Sequence, residues 1–369
     1  MYNEEMTMEM EMNGIAFDDV YIDTQYSDVE SRSMVDLTSK MRGFELKLPV
    51  ISANMPNITE WKMAKEMAIN GGMGILHRFY HTIEENVDDF SKAVGEICVV
   101  RGVKSQEAIK TLGVSIGVKD SEKARFDALY EAGARIFCID VNHGHSKMMK
   151  EMINWIYNQS RYHKTRPTKA RPTIIAGNIA TARAALDLAE WGADILKVGI
   201  GPGKVCRTRS NTGVGKPQFS AIKEVYDAIH GITNVKIIAD GGIKTTGDIA
   251  KALIFADAVM VGAVLAGTSE TPGDAFPEPG TDLTNRSFYK VYGGSASMEN
   301  KVKNGQRARF VEGEMLKIPF KGHAKYLLRE IQDGLQGSFS LSGCRNLREY
   351  KEKVKWYTMS GAGSKESKL

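Results

Sequence analysis

The stretch "GIGPGKVCRTRSNTGVGKPQ" from Gly199 to Gln218 places a cysteine, Cys206, among glycines and cations. A structural cysteine sits in an apolar strand or helix face, and a redox pair has a second cysteine close by; Cys206 has neither setting. Lys204, Arg207 and Arg209 lie within three residues of it. Nearby cations favour the thiolate, the nucleophilic form, so the loop suits covalent catalysis. Gly199, Gly201 and Gly203 let the backbone bend sharply and expose its carbonyls or amides to a ligand or ion. Two further clusters carry polar or small residues after apolar runs. "IADGG" supplies Asp240, Gly241 and Gly242, and "MVGAV" supplies Gly262 and Ala263. A carboxylate beside small-residue turns suits sugar hydroxyls next to a phosphate held by backbone amides.

These residues need a scaffold that brings several loops to one face. Eight short apolar segments recur: "LPVISAN", "GGMGILHR", "TLGVSIGV", "RIFCIDV", "TIIAGN", "ADILKVGI", "VKIIADGG" and "ADAVMVGA". Segments of helical periodicity such as "TEWKMAKEMAIN" and "TARAALDLAEWGA" separate them. Near-continuous apolar strands fit a parallel sheet buried on both faces. Eight alternations predict an α/β fold, a (β/α)8 barrel of the triosephosphate isomerase type, with Cys206 in the loop after strand six on the catalytic face. An open doubly wound sheet would place a glycine fingerprint after its first strand, where the chain reads "ISANMPNIT". The glycines collect instead after strands six, seven and eight, where a barrel builds its phosphate site.

The 369 residues are 42% hydrophobic and 25% charged with a net charge of +4, enough for one large core and too evenly charged to suggest nucleic acid as a partner. The basic cluster "RYHKTRPTKARP" reads as a solvated loop. No apolar run approaches the roughly 20 residues that span a bilayer, and the N-terminus lacks a secretory pattern, so a cytoplasmic protein is expected, with no membrane partner. Ser367, Lys368 and Leu369 spell a peroxisomal address, meaningful in a eukaryotic host as a route to the peroxisome or glycosome. The four cysteines are too far apart for a disulfide framework or zinc spacing, and of them only Cys206 looks chemically exposed. The whole chain is expected to be one catalytic domain. It would have an N-terminal extension over 1–13, an active-site flap over 280–320 in the long connection after strand eight, and a disordered tail over 358–369.

The motifs "VGIGPGKVC", "TGVGKPQ", "AGNIAT", "ADGGI", "SRSMVDLT" and "SANM" together resemble the family of inosine monophosphate dehydrogenase and guanosine monophosphate reductase, over nearly the whole chain. The resemblance implies a barrel, usually a homotetramer, that binds a purine nucleotide and forms a thioimidate between the cysteine and purine C2. Three features resemble the reductase branch. Only about thirty residues separate Phe79 from Thr111, too few for the regulatory CBS insert usual in the dehydrogenases. "DVNHGHS" and "LHRF" are similar to one reductase branch, and "RARFVEGEMLKIPFKG" carries the reductase's Arg, Glu-Gly and "PFKG" in place of the dehydrogenase's Arg-Tyr pair.

The implied activity is NADPH-dependent reductive deamination of GMP to IMP. By the resemblance Cys206 is the nucleophile, and Thr208 with Glu312 handles the proton of the departing ammonia. Asp240 would hold the ribose, Gly241, Gly242, Gly262 and Ala263 the phosphate, and Tyr292 a phosphate oxygen. Ser295, Arg309 and Gly313 would contact or cover the base. Asp140, Asn178 and Arg78 match positions near the nicotinamide, and carbonyls of Gly201, Gly203 and Cys206 match ligands of a potassium ion. Read without the resemblance, Asn178 is equally a helix cap, Arg78 a surface charge and Glu312 a solvated carboxylate. Departures from the pattern are Pro56 after Met55, Gly294 where reductases carry a methionine against the base, and Val311 where a serine is expected. The alternatives are a compact IMP dehydrogenase using NAD, a reductase of another purine nucleotide, and an inactive nucleotide-binding protein.

Overall fold

Eight parallel strands close into a barrel in the computed structural model, which describes residues 14–162, 171–278, 287–293 and 315–366. They are β1 (Val50–Ser52), β2 (Met73–Leu76), β3 (Leu112–Ile116), β4 (Ile136–Asp140), β5 (Thr173–Ile179), β6 (Ile195–Val198), β7 (Lys236–Asp240) and β8 (Ala258–Val261). Each predicted apolar segment supplies one strand. The ring closes where Val259, Met260 and Val261 of β8 pair with Val50, Ile51 and Ser52 of β1.

The helices that cover the barrel follow their strands in turn. They are α1 (Trp61–Ile69), α2 (Ile83–Arg101), α3 (Ser121–Glu131), α4 (Lys147–Tyr162), α5 (Ala182–Trp191), α6 (Gln218–Ile229), α7 (Thr246–Leu253) and α8 (Ala324–Leu341). Their starts are written into the sequence. Thr82, Thr181 and Thr245 each accept a hydrogen bond from the backbone N–H of the third helical residue, and Asp248 completes a capping box with Thr245. Each such cap stabilises its helix by about 1 kcal/mol. The β2–β3 connection consists of α2 and a short helix, Ser105–Ala108.

The alternation of strand residues sorts the core into two layers. Phe137 and Ile139 of β4, and Val259 and Val261 of β8, face the helices. Ile136 and Cys138, Ile195, Ile238, and Ala258 and Met260 fill the barrel interior. Continuing the interior register by two residues reaches Asp140 from Cys138, Lys197 from Ile195 and Asp240 from Ile238. The period of two therefore carries three charged side chains to the mouth of the barrel.

The connection from β8 to α8 contains a small antiparallel sheet: β9 (Phe276–Pro277), β10 (Phe288–Gly293) and β11 (Met315–Pro319). Lys290 of β10 is buried and donates to the carbonyls of Thr268 and Thr271, fastening the sheet to the segment after β8. The strand Val20–Ile22 pairs with Trp356–Thr358, joining the N-terminal segment to the C-terminal one. The tail differs from expectation: Thr358 ends that strand and Gly361–Glu366 form a helix. Ser360 accepts from the Gly363 amide there, a local contact that stabilises a turn the glycines alone would not. Residues 367–369, and so the Ser-Lys-Leu address, lie outside the described residues.

Candidate active site

The three charged side chains of the interior register meet. The Lys197 ammonium lies 2.8 Å from Asp140 Oδ1 and 2.7 Å from Asp240 Oδ2, and it donates to Asn178 Oδ1 as well. Asn178 Nδ2 donates to Asp240 Oδ2 at 2.9 Å and to the Gly199 carbonyl at 2.7 Å. Burial opposes the charges here, but the mutual attraction outweighs it: the Lys197 pKa is raised by Asp140 and Asp240, and the Asp140 carboxyl is held below its ordinary value by Lys197. Burial pushes up the pKa of the Cys138 thiol, two residues before Asp140 on β4.

The cysteine loop leaves β6 against this cluster. Gly199 has φ +149°, and a Cβ there would sit 2.0 Å from the Asp240 carbonyl oxygen, so no side chain is tolerated at the crossing of the β6 and β7 ends. Its amide donates to the Ile179 carbonyl at 2.9 Å. Arg209 braces the loop from inside: Nε donates to the Ile200 carbonyl at 3.3 Å and the guanidinium donates to the Lys216 carbonyl. Its aliphatic stem fills the space beside Gly201.

Of the three cations around Cys206, Lys204 and Arg207 are exposed and Arg209 is half-buried; burial lowers the Arg209 pKa, and the nearby Cys206 offsets this only in part. The Cys206 amide donates to the Gly203 carbonyl, which turns the chain so that Sγ lies 3.2 Å from Thr208 Oγ1. Thr208 is 4% exposed and opens the short helix Thr208–Thr212. Exposure alone does not single out Cys206, because Cys98 on α2 is half-buried too; its position in the cavity does.

A cavity of about 1070 Å³ runs across the C-terminal ends of the strands and takes in Cys206, Thr208, Asp240, Asp140, Asn178 and Arg78. Gly241 and Gly242, at φ +92° and +77°, pack against Pro202 and so bring the β7 turn up to the cysteine loop. Gly262 faces the Tyr292 hydroxyl, which a Cβ would approach to 3.0 Å. Tyr292 is buried, and burial raises its pKa. Lys321, which also lines the cavity, donates to the carbonyls of Ala263 and Val264 at 3.1 and 2.9 Å and so fixes that turn. Burial lowers the Lys321 pKa, and the neighbouring charge of Lys204 lowers it further.

On the opposite side, Arg78 lies with its guanidinium 4.6 Å from the Phe79 ring centroid, and its Nε is buried without a partner among the described residues. It is half-buried in the cavity wall and is not a surface charge. Asn178 is not a helix cap either, because Thr181 fills that place for α5. Gly294, Ser295, Arg309, Glu312 and Gly313 lie outside the described residues, as does most of the expected flap.

The residues that sequence reasoning passed over are Lys197 and Lys321. Lys197 stood inside an apolar run, and its signal was there: a lone lysine in a strand buried on both faces must find carboxylates nearby. Among the described residues no group of three or more His, Cys, Asp or Glu is placed to hold a metal ion, and no helix is long and apolar enough to cross a membrane.

Comparison with known proteins finds the same family throughout. The model of the IMP dehydrogenase / GMP reductase domain matches residues 14–369. The chain is 36% identical over 360 residues to a GMP reductase of Leptothrix cholodnii, covering 96% of this chain and 98% of that one. It is 31% identical over 403 residues to an inosine-5'-monophosphate dehydrogenase of Borreliella burgdorferi, covering 96% of each. Among solved structures, a cysteine-to-alanine variant of the GMP reductase of Trypanosoma brucei, in complex with guanosine 5'-monophosphate, superposes with a TM-score of 0.83 at 27% identity over 99% of both chains.

Proposed function

Because the chain belongs to the IMP dehydrogenase / GMP reductase family, and is therefore an oxidoreductase acting on GMP or IMP, we propose that it is a GMP reductase. In this reading it converts GMP to IMP and ammonia with NADPH, through a covalent bond between Cys206 and purine C2. The observation that carries the reading is the Cys206–Thr208 contact opening into a cavity that also presents Asp240. The structural neighbour's bound GMP supports the nucleotide as ligand. The cavity volume lies just above the range for one small ligand, about 300–1,000 Å³, which leaves room for part of a second one.

The proton path follows from the contact. The thiol donates to the Thr208 hydroxyl, so its proton can pass through that hydroxyl to the purine amino group, with Glu312 as the expected partner. Sγ then bonds to C2, the C2–N bond breaks, and the amine leaves as ammonia carrying the proton the thiol lost. Bound NADPH would supply a hydride to C2, after which the C2–S bond breaks and the thiolate recovers a proton. In sum, GMP, NADPH and one proton give IMP, NADP+ and ammonia. Asp240 would meet the ribose diol through Oδ1, since Oδ2 is taken by Lys197 and Asn178. The partnerless Arg78 Nε fits an acceptor group on the cofactor. For potassium, the carbonyls of Gly201, Gly203 and Cys206, hard neutral oxygens, would be the ligands.

Intact-mass measurement of the protein mixed with GMP alone tests the reading. A species heavier by GMP less ammonia, absent from Cys206→Ala, is expected; no adduct under conditions where GMP binds would overturn it. The dehydrogenase reading predicts an adduct only with IMP and NAD together.

A further inference from the structure

Lys197 belongs to none of the groups assigned above to nucleotide or cofactor, yet it touches one of each. Its side chain is 3% exposed, and its ammonium has three polar neighbours for three N–H bonds: Asp140 from β4, Asn178 from β5 and Asp240 from β7. One positive charge thus faces two carboxylates. Two of the four strands involved end on the proposed cofactor side and one on the ribose side, and β6 carries the lysine between them.

Every cluster member is braced through this point. Asp240 lines the cavity and is gripped at one oxygen, Oδ2, so Oδ1 takes no part in the grip. Asp140 is gripped by Oδ1, with Asn54 and the charge of Arg78 as its further neighbours. Gly177 on β5 makes the approach feasible, since a Cβ there would fall 2.5 Å from the Lys197 carbonyl oxygen and push the two strands apart. A buried ammonium shared by two carboxylates is a costly arrangement to maintain, and a hydrophobic residue of the same volume would serve a purely structural purpose as well or better.

We propose that Lys197 is a positioning residue that ties the two halves of the active site together, setting Asp240 for the ribose and Asp140 for the cofactor with one ammonium group. The inference rests on the GMP reductase reading for the identity of the two ligands. It predicts that loss of the ammonium weakens both ligands at once, although Lys197 contacts neither.

The test compares wild type, Lys197→Met, Lys197→Arg and the double variant Lys197→Met/Asp140→Asn. The double variant preserves the net charge of the cluster and so guards against misfolding by two unpaired carboxylates. GMP and NADP+ affinities are measured separately by calorimetry, after thermal melting confirms a folded protein. Lys197→Met is expected to weaken GMP and NADP+ each by about tenfold to a hundredfold, the scale of a lost charged hydrogen bond. Lys197→Arg is expected to recover part of both.

The double variant separates the roles. If Lys197 only balances charge, the double variant binds GMP as wild type does; if Lys197 positions Asp240, it remains at least tenfold weaker. A folded double variant with wild-type GMP affinity overturns the inference, as does a Lys197→Met protein that loses only one of the two ligands. Wild type that binds neither GMP nor NADP+ overturns the functional reading itself, and the inference falls with it.

Discussion

Replacing Thr208 by valine isolates the hydroxyl from everything else the residue does. Valine has nearly the same volume, so the buried site at the head of the short helix keeps its packing, and only the oxygen 3.2 Å from Cys206 Sγ is lost. At 4% exposure there is no bulk water to take its place. A positioned acid or base contributes about 100- to 10,000-fold, so the rate of NADPH consumption with GMP should fall by that factor while the GMP Kd moves by less than about threefold. The decisive control is a substrate whose leaving group needs no proton, the 2-chloro analogue of the same nucleotide. Chloride departs as an anion, so only the thiol's own proton remains to be lost, and Thr208→Val should lose at least tenfold less activity on the analogue than on GMP. The assay follows the reduced-nicotinamide absorbance for both substrates. An equal loss with both would show that valine disturbs the cysteine itself, and a GMP rate within tenfold of wild type would refute the proton path outright.

Three further outcomes follow from the geometry. Gly199→Ala places a Cβ 2.0 Å from the Asp240 carbonyl oxygen at φ +149°, so thermal melting should show destabilisation of more than about 1 kcal/mol and turnover should fall at least about 100-fold; a variant matching wild type in both would contradict the described crossing. Arg78→Met should raise the NADP+ Kd about tenfold and leave the GMP Kd unchanged, measured by calorimetry; an effect on GMP instead would move Arg78 to the other half of the cavity. Because Lys197 holds the Asp140 carboxyl below the ordinary aspartate value of about 3.9, its contribution to stability is present above that value and is lost as pH falls through the lower folded one. The stability difference between wild type and Asp140→Asn, from urea unfolding, should be flat between about pH 5 and 9 and shrink below about pH 4; growth of the difference in acid would reverse the sign of the argument.

The barrel was legible because its strands are buried on both faces and separated by helices with threonine caps, so apolar runs and cap residues repeat in register along the chain. The cysteine loop was legible by contrast with that pattern. What stayed hidden depends on which strand neighbours which. Lys197 reads as one polar residue in "ADILKVGI", and only the barrel order brings it against the ends of β4 and β7. Arg209 reads in the sequence as a cation beside the thiol; in the folded loop its guanidinium braces two carbonyls. The small sheet stays hidden because β10 and β11 pair across a long separation in sequence, which no local pattern announces.

Two paired assays of reduced-nicotinamide absorbance with purified protein and potassium separate reductase from dehydrogenase: GMP with NADPH, and IMP with NAD. Loss of absorbance is expected in the first, matched by one IMP and one ammonia per NADPH consumed, with no signal from Cys206→Ala. A rise in the second with silence in the first would make the chain a dehydrogenase and contradict the GMP reductase reading.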